Sequence, residues 1–185
     1  MLRTITRQAA WELLQKYNEG AYRFEHALIM ERTLRFFAEK LGYANEAEFW
    51  GVAGLLHDLD YELYPEQHCL KEQDMMREEG LCEALIRATA SHGWGNLVTD
   101  IKPEHTMEKV LYLANELTVL IWNVAKTVPT GSISDVSVDM VMRAYHTPEY
   151  ASTYPHLVIE RGCEMLDWTL EYAAEQMIYA MRGWH

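Results

Sequence analysis

Trp50-Gly51-Val52-Ala53-Gly54-Leu55-Leu56-His57-Asp58-Leu59-Asp60-Tyr61 is the stretch on which the reading of this chain turns. Trp50, Val52, Ala53, Leu55 and Leu56 are dense enough in apolar side chains to form the core side of a helix. The run ends on a nitrogen donor and a carboxylate side by side. Ionisable groups are costly to bury unless they are paired or hold a cation. His57 and Asp58 at the rim of a core helix therefore mark a candidate site. Consecutive residues of a helix differ by about 100° in direction, so both reach one cation only where a helix ends.

Outward from that stretch, helical spacing recurs along almost the whole chain, with no sustained alternation of period two. The pattern predicts an all-α fold: a single-domain helical bundle over 1–185 with about seven or eight helices. Helices are expected over 5–18, 22–41, 45–57, 65–80, 82–91, 103–126, 134–145 and 155–182. Leu28, Leu34, Phe37 and Leu41 point the second helix inward, and Gly42 stops it. Asn45 and Glu48 have the spacing of a capping box, Pro65 and Pro103 suit first helical positions, and Ser134 or Asp135 suits a cap. Residues 128–132, Val-Pro-Thr-Gly-Ser, read as a loop.

The chain has 185 residues, 49% of them hydrophobic, which is ample for a buried core. Its formal net charge is −12, from 16 basic and 28 acidic residues. That balance disfavours general attraction to nucleic acid or anionic membranes. A small anionic substrate stays open, because a bound cation reverses the local field. Cys69, Cys82 and Cys163 are far apart and odd in number, so neither a disulfide framework nor a zinc–cysteine cage is expected. Arg3 and Arg7 flank no uninterrupted apolar stretch, and 110–125 carries Asn115, Glu116 and Asn123. No leader and no bilayer span are expected, and a cytoplasmic location fits.

The remaining ligands for a cation must come from other helices. His26 lies in the middle of the second helix, His68 and His92 fall on later elements, and Asn115 and Glu116 follow Val110, Leu111 and Leu113. Inward side chains from several helices are a recurrent way to build a metal site in a helical core. Asp60, three residues after His57, shares its face if the helix continues, as an orienting group or a base.

In this order the residues resemble the HD-domain superfamily of metal-dependent phosphohydrolases, specifically its small stand-alone members. The resemblance rests on His26, on His57-Asp58 within Gly51-x-x-Gly54-Leu55-Leu56-His57-Asp58-Leu59-Asp60-Tyr61-Glu62, and on Tyr112-x-Ala114-Asn115-Glu116-Leu117-Thr118-x-Leu120-Ile121. It covers 22–125, with the C-terminal helices at 134–182 completing the bundle. It implies that His26, His57, Asp58 and Asn115 are primary ligands of a divalent ion (Mn, Fe, Zn, Ni, Co or Mg), with Asp58 and Asp60 serving catalysis. It implies that His68 and His92 hold a second metal or contact phosphate. The chain departs from the pattern at Asn115, where the family has Asp. An amide carbonyl still reaches a hard cation but brings no charge.

Three functions follow as expectations. The first is hydrolysis of a small phosphate ester, a nucleotide among the options. The second, motivated by Asn115, is a non-catalytic ligand-binding or scaffold protein on the same fold. The third is oxidation at a di-iron centre, which some relatives of the family perform. Met75-Met76, Met140, Met142 and the six tryptophans read as core filler or as a face for a homo-oligomer. His105, His146, His156 and His185 read as surface or capping residues. Thr130-Gly131-Ser132 lacks the Gly-Lys of a phosphate loop, and neither a serine elbow nor a partnered cysteine nucleophile is visible.

Overall fold

A computed structural model describes residues 5–95, 99–148 and 156–182. Among them are nine α-helices and no strand. They divide into two units, Met1–Tyr112 and Leu113–His185.

The first unit carries α1 (Arg7–Tyr17), α2 (Ala21–Lys40), α3 (Ala47–Leu56), α4 (Lys71–Glu78), α5 (Glu83–Ala90) and the start of α6 (Thr106–Ala125). Its core is laid down by Leu13 and Leu14 of α1, by Ile29, Met30, Leu34 and Phe37 of α2, and by Trp50, Leu55 and Leu56 of α3. Thr6 caps α1 by accepting from the Ala9 amide. The Glu31 carboxylate, almost wholly buried, accepts from Arg7 of α1 and Arg35 of its own helix. Asn18, just past α1, donates to the Leu14 and Leu59 carbonyls and so ties α1 to the turn after α3.

The α2–α3 contact positions the site, and the two glycines of α3 set its closeness. A Cβ on Gly54 would stand 2.6 Å from the Met30 carbonyl oxygen, and one on Gly51 would stand 2.6 Å from Arg35 Nε. Position 54 faces 30 while position 51 faces 35, so the helices run antiparallel. Three residues beyond Gly54 and four before Met30, His57 and His26 therefore meet.

Helix boundaries depart from the sequence expectation at five places. Residues 44–46 form a 3-10 turn, so Asn45 caps nothing and α3 begins at Ala47. The helix expected over 65–80 is a 3-10 turn at Pro65–Gln67, then a break, then α4. The break falls where Cys69 takes φ 68°, which a right-handed helix cannot accommodate. Ser137, rather than Ser134 or Asp135, caps α7 (Val138–Tyr145) through the Met140 amide. The last expected helix is two, α8 (His156–Leu166) and α9 (Leu170–Met181), because Asp167 sits at φ 55° and Thr169 caps a new start. This split turns the expected eight into nine, and Pro155 lies outside the described residues.

α6 starts at Thr106, not at Pro103, where the buried Glu108 carboxylate accepts from the Glu104 and His105 amides. In the second unit, α9 packs on α7 and α8 around Val141, Ile159, Ala173, Met177 and Ile178. Gly162 of α8 meets Leu113, where a Cβ would stand 2.8 Å from the Leu113 Cβ. None of the described helices is long and apolar enough to cross a membrane.

Candidate metal centre

Four imidazoles converge on Asp58. His26 comes from α2; His57 and Asp58 follow the last residue of α3; His68 follows the Pro65 turn; and His92 sits in the turn after α5. All four imidazoles are 0–3% exposed, and Asp58 is 8% exposed. The helix ends at Leu56, so His57 and Asp58 turn to the same side, as a shared cation requires.

The distances form two halves around one carboxylate. His26 Nε2 and His57 Nε2 are 3.1 Å apart, and so are His68 Nε2 and His92 Nε2. Asp58 Oδ1 lies 3.5 Å from His57 Nε2, 3.1 Å from His68 Nε2 and 3.7 Å from His92 Nε2. Its Oδ2 lies 3.7 Å from His26 Nε2. Two nitrogens bound to one ion at about 2.1 Å stand roughly 3.0–3.4 Å apart, depending on the angle.

The opposite ring nitrogens fix the tautomers. His57 Nδ1 donates to the Gly54 carbonyl at 2.8 Å, and His92 Nδ1 donates to the Thr89 carbonyl at 2.5 Å. A carbonyl only accepts, so each neutral ring keeps its lone pair on Nε2, aimed into the cluster. His68 Nδ1 donates to Asp60 Oδ1 at 2.6 Å, and the other Asp60 oxygen accepts from the Glu72 amide at 2.8 Å. Ring N–H groups tied back to carbonyls and a carboxylate are how proteins orient metal-binding imidazoles. The donor set fits a cation.

Burial works against charge on His68, but its hydrogen bonds to Asp58 and Asp60 outweigh it and raise the imidazole well above its ordinary value. His92 is held well below, by burial and by the neighbouring His57 and His68. Burial alone would raise the Asp58 carboxyl, yet the His57, His68 and His26 rings hold it well below the ordinary carboxylate range. Burial and nearby Asp60 hold Glu72 well above that range.

Asp60 faces His68, not His57. The expectation that it shares the His57 face assumed a continuing helix, whereas the backbone beyond Leu56 folds into successive turns. With no exposure and both oxygens engaged, Asp60 orients the His68 ring. Asn115 lies on the part of α6 that belongs to the second unit, half-buried, with its amide donating to Glu116 Oε1 at 3.3 Å. His105 and His146 are exposed, and His156 stacks on Tyr145 with centroids 4.1 Å apart.

Two residues join the cluster that the sequence did not assign to it: Arg23, and Cys69, which had no visible partner there. Arg23 Nη1 donates to Asp58 Oδ2 at 3.2 Å, and its guanidinium stacks 3.7 Å from the Tyr61 ring centroid. It lies three residues before His26 on α2, a same-face spacing readable in the sequence. Cys69, wholly buried, brings Sγ within 3.6 Å of His92 Nε2, and no periodicity signals it. Burial pushes its thiol up to about 12. Comparison with protein-family models, with curated proteins and with solved structures gives no match.

Proposed function

We propose that this protein is a metal-dependent phosphohydrolase of the HD-domain kind, acting on a small phosphate ester. The observation that carries the reading is the set of four Nε2 atoms turned toward Asp58, with three of their Nδ1–H groups tied back to protein oxygens. His26, His57 and Asp58 would hold one divalent cation, and His68 and His92, with Asp58 between, a second. Imidazole donors select first-row transition ions over magnesium. Such an ion supplies Lewis acidity toward a phosphoryl oxygen.

The protein's own residues do the rest. Arg23 stacks on Tyr61 beside Asp58, and its planar donor group has more N–H bonds than one carboxylate oxygen satisfies. The spare donors suit an anionic oxygen, which a chain of net charge −12 would otherwise repel. Asp60 holds the His68 ring in one orientation, and burial keeps bulk water from the imidazoles.

Metal analysis of the purified protein beside hydrolysis of generic phosphomonoesters and diesters tests the reading. Transition metal should co-purify; His57→Ala should lose the ion of its own half and Asp58→Ala both ions, each with a loss of at least about 100-fold of the activity. Absence of both metal binding and metal-stimulated hydrolysis across several divalent ions sinks it. Tight metal binding with no hydrolysis of any phosphate ester would favour the binding-protein reading instead.

A further inference from the structure

Cys69 takes a backbone conformation at φ 68° that is costly for any residue with a side chain. The cost has a geometric result. His68 and Cys69, adjacent in sequence, both turn toward His92 instead of diverging as on a continuing helix. The sulfur is wholly buried, 3.6 Å from His92 Nε2 and 4.0 Å from Nδ1. One donor atom from each of His68, Cys69 and His92 lies within 4.8 Å of the others. A nitrogen about 2.05 Å and a sulfur about 2.3 Å from one tetrahedral ion stand roughly 3.6 Å apart.

We propose that Cys69 is a thiolate ligand of the cation held by His68 and His92. The inference rests on the metal-binding reading and refines it. The half of the centre with His26 and His57 has only nitrogen and oxygen donors, whereas the half with His68 and His92 gains a soft sulfur. The second position then selects zinc, cobalt(II) or iron(II) and discriminates against magnesium and manganese. Binding converts the thiol to a thiolate, and its proton leaves to solvent.

Titrating cobalt(II) into metal-free full-length protein, followed by absorption, tests this. A near-ultraviolet thiolate-to-cobalt charge-transfer band should grow with one of the bound cobalt ions. Cys69→Ser should abolish the band and weaken that step about 10–100-fold. Cys69→Gly, which accepts positive φ without strain, should do the same and guards against a folding defect. His57→Ala should keep the band. Cobalt bound to the wild type without the band, or a band that survives in both Cys69 variants, overturns the proposal and leaves the metal centre standing. A wild type that binds no cobalt overturns the metal centre itself, and this proposal with it.

Discussion

At the scale of single residues, Asp60 and His68 define how the site is held. Asp60 accepts from the His68 ring and from the Glu72 amide, so it fixes that imidazole from behind. Asp60→Asn should keep the fold but lower metal affinity about 10–100-fold, read by competition with a chelator of known affinity. His68 also makes stability depend on pH. Its folded value is raised above the ordinary 6.5, so its contribution is complete below about pH 6.5 and is lost as pH rises toward the raised value. Between about pH 6.5 and about pH 8.5, metal-free wild type should lose about 1 kcal/mol per pH unit relative to His68→Gln in chemical denaturation. His92, held neutral, acts in the opposite direction but only below about pH 6.5.

Among the elements, the approach of α3 to α2 controls the site. A Cβ on Gly54 would meet backbone, the Met30 carbonyl, whereas one on Gly51 would meet the flexible Arg35 side chain. Gly54→Ala should cost about 1–3 kcal/mol in urea denaturation. It should also weaken metal binding, because it moves His26 away from His57. Gly51→Ala should cost less in both assays. The place of α3 was legible in the chain from its apolar run and terminal His-Asp, but the close approach to α2 through Gly51 and Gly54 was not. The breaks at Cys69 and Asp167 were not. Both are non-glycine residues in left-handed conformations, imposed by surroundings that local propensity does not encode. The failed continuation after Leu56 likewise hid the true partner of Asp60. His68 and His92 could be named from their order in the chain, but the sulfur beside them became visible only once the turn placed it.

For the molecule as a whole, His26, His57, Asp58, His68 and His92 all belong to the first unit, on segments spread from α2 to the turn after α5. A cation that ties these segments together binds the folded chain and not the unfolded one. At about 100 times the dissociation constant it should add about 2.7 kcal/mol of stability. Thermal melts with zinc or manganese should therefore run above melts with a chelator, and Asp58→Ala, which removes the carboxylate near both imidazole pairs, should remove the difference.

Asp58 stands between both imidazole pairs with one oxygen near His57, His68 and His92 and the other near His26. A carboxylate has a single negative charge to share, so the two halves of the centre draw on the same anion. An ion entering one half would lessen the attraction left for the other and would shift the carboxylate that both would use. Occupancy of the two sides would thus be linked, and a two-ion centre here would have one affinity surface instead of two independent constants.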